Sequence, residues 1–270
     1  AKSDYTATGL RLSDGWEGFW EPDLQRTGCM DTIFINLPRI AYNSEAKASK
    51  FYQLLDEQLE MALRAMEIKY QTIKLRGREG LLPFLTCRSN GEQYARFENF
   101  TRLIGFVGLN EAVESFSGKS MHEDSKALDL AEQMAKYIHN SVKKCVRKPE
   151  SRPVTAMVPS AKAAGRLAQL DIERYGWAKV HVKGTKEQPY YTDLVAVPTQ
   201  ANIAFDERLK IEEKIQQSAP GGHLTLLQIE EEEPDPDKLL ALSRQLCSEG
   251  KIGLYAFNRS FAYCSRCRKI

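Results

Sequence analysis

Short apolar runs alternate with helix-patterned stretches from residue 31 almost to the C-terminus, and no other feature restricts the fold as much. Residues 31–36 (Asp-Thr-Ile-Phe-Ile-Asn) read as a strand, stopped by Pro38, which lacks the amide a ladder needs. A long helix is expected from about Ser44, because Phe51, Leu55, Leu59, Ala62, Met66 and Tyr70 recur at three- and four-residue spacing and form one apolar face. Gly77 and Gly80 end it. Residues 103–109 have the composition of a buried strand. A polar loop with Gly118 then leads to Asp124, an N-cap for a helix with Leu128, Ala131, Ala135, Ile138 and Val142 on one side. Pro149 and Pro153 close that unit.

The same alternation continues downstream. Residues 154–158 read as a strand, and 159–165 as a small-residue turn into a helix reaching about Tyr175. The stretches 178–182 and 190–192 follow, then a helix over 206–217. Gly221 and Gly222 precede a strand at 223–229. The acidic run 230–233 and Pro234-Asp235-Pro236 introduce a helix over 237–247, and 252–257 is a last strand. The first thirty residues, rich in Gly, Trp and charge, read as an extended loop. Strands alternating with helices imply an α/β fold with a largely parallel sheet, in one domain.

Composition excludes several classes. Thirty-eight basic and 36 acidic side chains nearly cancel at +2, so a basic nucleic-acid-binding face is not expected. No apolar run approaches 18 residues, so a membrane-spanning helix is not expected, and the N-terminal residues carry no signal-peptide core. Six cysteines in 270 residues are too sparse for a disulfide scaffold, which favours a reducing, cytoplasmic setting.

The chemistry-bearing candidates are few. At residues 157–166 a strand passes through Ser160, Ala161, Lys162, Ala163 and Ala164 into a helix. Free amides and the helix dipole there suit a phosphate, with Lys162 adding charge; an ordinary close-packed α/β turn is the alternative. Cys264 and Cys267 flank Ser265-Arg266, and basic neighbours favour the thiolate. The pair reads as half a zinc site, a redox pair or two unrelated thiols, since structural zinc takes four ligands. Cys29 sits at a loop-to-strand junction and reads as a small core residue or a reactive thiol. The four histidines show no ligand spacing, and no Walker loop or dinucleotide fingerprint is present.

Several stretches together go further: Asn36-Leu37-Pro38-Arg39-Ile40-Ala41, Gly105-Phe106-Val107-Gly108-Leu109-Asn110-Glu111, Leu170-Asp171-Ile172-Glu173-Arg174-Tyr175-Gly176, Tyr190-Tyr191-Thr192, Gly221-Gly222-His223 and the terminal Cys264/Cys267 pair. In this order they resemble the anaerobic (class III) ribonucleotide reductases, and residues 15–26 are similar to the archaeal branch. The resemblance implies the second half of a ten-stranded α/β barrel of the glycyl-radical-enzyme type over residues 1–258, finger-loop region included, and the start of a zinc-binding segment over 259–270. It implies reduction of ribonucleoside triphosphates to deoxyribonucleotides by glycyl and thiyl radicals, with a radical-SAM activating enzyme and a homodimer. By position, Asn36 would lie beside the substrate, residues 160–164 would hold its phosphates, and Cys264 and Cys267 would be two of four zinc ligands.

This sequence also departs from the family pattern. Gly9-Leu10-Arg11 stands where the family has its finger-loop cysteine, and Leu10 cannot form a thiyl radical. Cys29 is the nearby thiol that would substitute. Ala161 replaces an expected Glu. A second cysteine pair and the radical glycine are expected beyond Cys267, so the 270-residue chain alone is expected not to turn over. A degenerate or split relative, binding nucleotide or acting as a zinc-dependent interaction subunit, is the alternative.

Overall fold

The computed structural model describes residues 28–145, 153–229, 234–249, 252–259 and 264–267. Leu10, residues 15–26 and the acidic run 230–233 lie outside the described residues. The chain enters through strand β1 (Cys29–Asn36), helix α1 (Leu37–Ser44), the long α2 (Ala48–Arg78), a single turn α3 (Pro83–Thr86) and the two-residue strands β2 (Arg88–Ser89) and β3 (Glu92–Gln93). Then come β4 (Thr101–Val107), α4 (Leu109–Ser117), α5 (Ser125–Lys144), β5 (Pro153–Ala156) and α6 (Ala161–Tyr175). A small hairpin, β6 (Lys183–Gly184) with β7 (Pro189–Tyr190), precedes α7 (Phe205–Gln216), β8 (Thr225–Gln228), α8 (Pro236–Glu249) and β9 (Tyr255–Asn258).

The main sheet has the order β1-β4-β5, with every pair parallel. A second parallel pair joins β8 to β9. Being central explains why residues 103–107 of β4 read as an unbroken apolar run: both edges are paired and both faces covered, and all seven residues of the strand are buried, Thr101 and Arg102 included. Ile104 and Phe106 face α2, α4 and α5, in a cluster with Phe51, Leu55, Ile138 and Val142. On the other side Val107 packs with Ala164 and Ala168 of α6 and with Tyr191, and Leu103 with Ala156 and Val158. Each fully buried Leu or Phe contributes roughly 1.5–3 kcal/mol.

The buried residues of α2 are the six that its periodicity marks, and Asp124 caps α5 by accepting from the Lys126 amide at 2.9 Å. Two short helices were not expected from the sequence. Pro38 does not merely stop β1; it sits in the first turn of α1, where its missing N–H has no partner to lose, and the Asn36 side chain caps that turn. Similarly, α4 begins directly after β4 at Gly108 and ends at Gly118, both in the left-handed region. Residues 177–179 form a turn and 180–182 run on without regular structure. Val180 is buried with Tyr42 and Tyr191, and the His181 amide bonds the Tyr42 phenol instead of a ladder. Among the described residues no helix is long and apolar enough to cross a membrane.

Candidate functional site

The parallel register aligns Asn36 with Val107 and Gly105 with Ala156, so β1, β4 and β5 all end on one side of the sheet. Each then runs into a helix start: α1 after Asn36, α4 after Gly108 and α6 after Ser160. Ligands of parallel α/β folds bind at these strand ends, because loop side chains and unpaired helical amides converge there.

Gly108 shapes this end directly. Its φ is +73°, and a Cβ there would lie 2.3 Å from Cγ of Pro38. A glycine is therefore required for the β4–α4 turn to pass against the start of α1. The Gly108 amide also donates to the Thr192 carbonyl at 2.8 Å.

Asn36 is fixed at both ends of its amide. Its Oδ1 accepts from the Arg39 amide at 3.2 Å, and its Nδ2 donates to Asp171 Oδ2 at 2.8 Å. Asp171 is 0% exposed and accepts two further bonds, from Arg39 Nε at 2.5 Å and the Tyr191 hydroxyl at 2.8 Å. A buried carboxylate needs such compensation, and here three donors from different parts of the chain supply it. Tyr191 also hydrogen-bonds the Tyr42 phenol. Burial, foremost, raises both phenols; for Tyr191 the neighbouring Tyr42 and Asp171 push the same way. Both stay protonated as hydrogen-bonding groups. Asn36 and Arg39 open onto a cavity of about 520 Å³, also lined by Asn43, Gln58 and Arg174.

A second layer secures the segment after β7. Glu111, fully buried on α4, accepts from the Thr192 hydroxyl at 2.5 Å and from its amide at 3.1 Å. Burial pushes its carboxyl up to about 7, against the Thr192 bond. One turn on, burial likewise pushes Glu114 up, but donation from Lys183, Ser120 and Asn110 outweighs it and holds that carboxyl low. Glu212 of α7 accepts from the Ala196 and Val197 amides at 3.0 Å, and burial raises it to about 6.

At the phosphate-type turn, Ala164 makes the first intrahelical bond to the Ser160 carbonyl at 2.8 Å, as a helix start should. The Ser160 amide and hydroxyl both donate to Asp193 Oδ2, at 2.7 and 3.1 Å. Ala161, Lys162, Arg166, Tyr190 and Asp193 border another cavity of about 520 Å³. Lys162 is exposed. Asn36 meets α6 at Asp171, ten residues past Ala161, which is about 15 Å along the helix. A further cavity, about 760 Å³, lies between α7, α8 and the β8–β9 pair, away from these groups.

Cys29 opens β1 and Asn36 closes it, so about 23 Å of strand separates them. The Cys29 thiol lies 3.6 Å from the Asp31 carbonyl, and burial raises its pKa. Cys264 and Cys267 are exposed. Bonds from the Cys267 amide and thiol and the Arg266 amide lower Cys264. Among the described residues no three His, Cys, Asp or Glu side chains gather to hold a metal. The pair offers two thiolates where a structural zinc needs four ligands.

Sequence reasoning gave no role to Asp171, Glu111, Thr192 or Asp193. One signal was present: Asp171 falls on the buried register of α6 with Ala164 and Ala168, where a charge demands partners.

The fold and site define a parallel α/β protein with hydrogen-bonded polar side chains gathered at its strand ends. A family model described as anaerobic ribonucleoside-triphosphate reductase matches residues 2–270, and the chain belongs to that family. The Escherichia coli (strain K12) anaerobic ribonucleoside-triphosphate reductase is 21% identical over 205 residues, covering 72% of this chain and 28% of the relative. The Enterobacteria phage T4 protein of the same description is 20% identical over 214 residues, covering 74% and 33%. Among solved structures, the Thermotoga maritima anaerobic ribonucleotide reductase in complex with dATP and CTP has a TM-score of 0.73 at 22% identity, over 90% of this chain and 39% of that one. The form of that enzyme with glycerol in the active site gives 0.74 at 22%, over 90% and 38%. The chain thus spans about a third of the length of the relatives it matches. Its fold is part of the α/β barrel that the sequence motifs imply.

Proposed function

We propose that this chain is the part of an anaerobic ribonucleotide reductase that holds the ribonucleoside triphosphate at the strand ends of the barrel. Asn36 takes the ribose. The turn at residues 160–164, with Lys162, takes the phosphates. The observation that carries this reading is that Asn36 and the turn at residues 160–164 both follow strands ending on one side of a single parallel sheet, and that Asn36 is bonded to α6, the helix this turn opens. The helix start supplies unpaired amides and positive potential for the phosphates, and Asn36 can both donate to and accept from a ribose hydroxyl. For the whole protein the proposed reaction is reduction of ribonucleoside triphosphates to deoxyribonucleotides, with a glycyl radical supplying the radical chemistry.

The reading is tested by equilibrium binding of CTP, CDP and CMP to the chain. Affinity is expected to fall with each phosphate removed, and Asn36→Ala and Lys162→Ala each weaken CTP. An absence of binding at millimolar CTP overturns it.

The position of Cys29 favours a second reading, a nucleotide-binding relative without turnover. A thiol on the order of 20 Å down β1 from Asn36 cannot reach the same sugar. Deoxynucleotide formation that Cys29→Ser abolishes would rule that reading out.

A further inference from the structure

We infer that Asp171 is the positioning residue of the ribose end of the site: it sets which way the Asn36 amide faces, and through Asn36 it sets discrimination between ribose and deoxyribose. The inference rests on the proposed nucleotide reading. An amide side chain can be flipped by half a turn at little cost unless its neighbours distinguish oxygen from nitrogen. Around Asn36 they do. An ionised carboxylate only accepts, so the group facing Asp171 has to be Nδ2. The Arg39 backbone amide only donates, so the group facing it has to be Oδ1. One further N–H and one further lone pair then remain for a ligand, in fixed directions.

The carboxylate is itself held rigidly. Arg39 Nε bonds its Oδ1 and the Tyr191 hydroxyl shares Oδ2 with Asn36, and no face of Asp171 is open to water. Arg39 therefore serves twice, its backbone orienting one end of Asn36 and its side chain neutralising the group that orients the other. Asp171 also lies on α6, whose first turn is the phosphate end of the site. One helix thereby keeps both ends in register. Replacing Asp171 by Asn keeps shape and volume but allows the facing group to donate, so Asn36 can flip and its cap of α1 weakens.

The test is calorimetric titration of the full chain with CTP, dCTP and inorganic triphosphate, with thermal melts to monitor folding. The unsubstituted chain is expected to bind CTP about tenfold more tightly than dCTP, the worth of one good hydrogen bond. Asp171→Asn and Asn36→Ala should each bring that ratio near one and leave triphosphate binding within about twofold. The double variant should lose nothing more, because the two residues act through one contact. Tyr191→Phe removes one donor without touching Asn36 and should lower the ratio only about two- to threefold; it also serves if Asp171→Asn does not fold. A wild-type ratio in Asp171→Asn overturns the inference, as do additive losses in the double variant. Equal loss of all three ligands in folded Asp171→Asn, or a Tyr191→Phe ratio equal to wild type, also overturns it. Equal affinity of the unsubstituted chain for CTP and dCTP overturns the inference alone, whereas an absence of CTP binding overturns the nucleotide reading and the inference with it.

Discussion

Ser160 and Asp193 meet at a single oxygen. The backbone amide and the hydroxyl of the serine both donate to Asp193 Oδ2, at 2.7 and 3.1 Å. The start of α6 thus already holds an anion, and the anion belongs to the protein. A carboxylate there is stabilised by the same amides and dipole that would stabilise a phosphate, so the two compete.

Removing that carboxylate should improve anion binding. Asp193→Ala is expected to tighten inorganic triphosphate by about three- to tenfold, the range of one or two modest hydrogen bonds released for the ligand. Calorimetry on the two proteins decides it. Unchanged or weaker binding in Asp193→Ala would mean that Asp193 shapes the turn rather than competing for it.

Gly108→Ala tests how far the β4–α4 turn governs the site. The added methyl would meet the Pro38 ring at 2.3 Å in a backbone region unfavourable to any Cβ. Strain and overpacking together should cost about 2–5 kcal/mol. Denaturant unfolding measures that loss, and CTP affinity should fall with it, since Pro38 lies in the first turn of the helix that Asn36 caps. Full stability in Gly108→Ala would show that Pro38 moves aside freely.

The elements that hold the site were mostly legible because each rests on a local pattern. The apolar spacing of Phe51 to Tyr70, the unbroken run of β4 and the Asp124 cap all lie within a few turns of themselves. The helices α1 and α4 were missed because they are short, eight and nine residues, and offer too few turns for periodicity to show. Asn36 followed by Pro38 is nonetheless a start signal, a capping side chain ahead of a proline in the first turn. The contacts within the site were not legible. Asn36 meets Asp171 across 135 residues, and Thr192 meets Glu111 across 81, and no local rule pairs such positions. What the sequence did carry was the anomaly of a carboxylate on the buried side of α6, without its partners.

The thiols should separate by environment. Cys29 is half-buried and burial raises its pKa, whereas Cys264 is exposed and its hydrogen bonds lower its pKa. The thiolate is the reacting species, so alkylation should start at Cys264 and reach Cys29 last. The lower pKa and the greater exposure of Cys264 act in the same direction, so its modification should be clearly faster. Peptide mass spectrometry of a timed iodoacetamide reaction reads the order. Rapid modification of Cys29 in the folded chain would show that the start of β1 opens readily and that this thiol is more available than its burial implies.

Buried Glu111 makes stability depend on pH in a direction opposite to that of most carboxylates. Its folded pKa is raised from 4.5 to about 7, so the folded chain keeps a proton that the unfolded chain releases. Its contribution is fully present below about pH 4.5, declines as the pH rises through the interval to about 7, and is absent above it. The difference is on the order of 3 kcal/mol, and Glu212, raised to about 6, adds a smaller change of the same sign. Glu111→Gln keeps an uncharged side chain of the same shape and cannot titrate. Unfolding free energies at pH 5, 6, 7 and 8 should therefore fall much less for Glu111→Gln, which keeps only the smaller Glu212 change, than for the unsubstituted chain. Parallel pH profiles for the two proteins would mean that Glu111 is already ionised in the fold, held by the Thr192 hydroxyl and amide and by Lys183. The segment from Tyr191 to Val197 would then be tied down by charge rather than by a neutral acid.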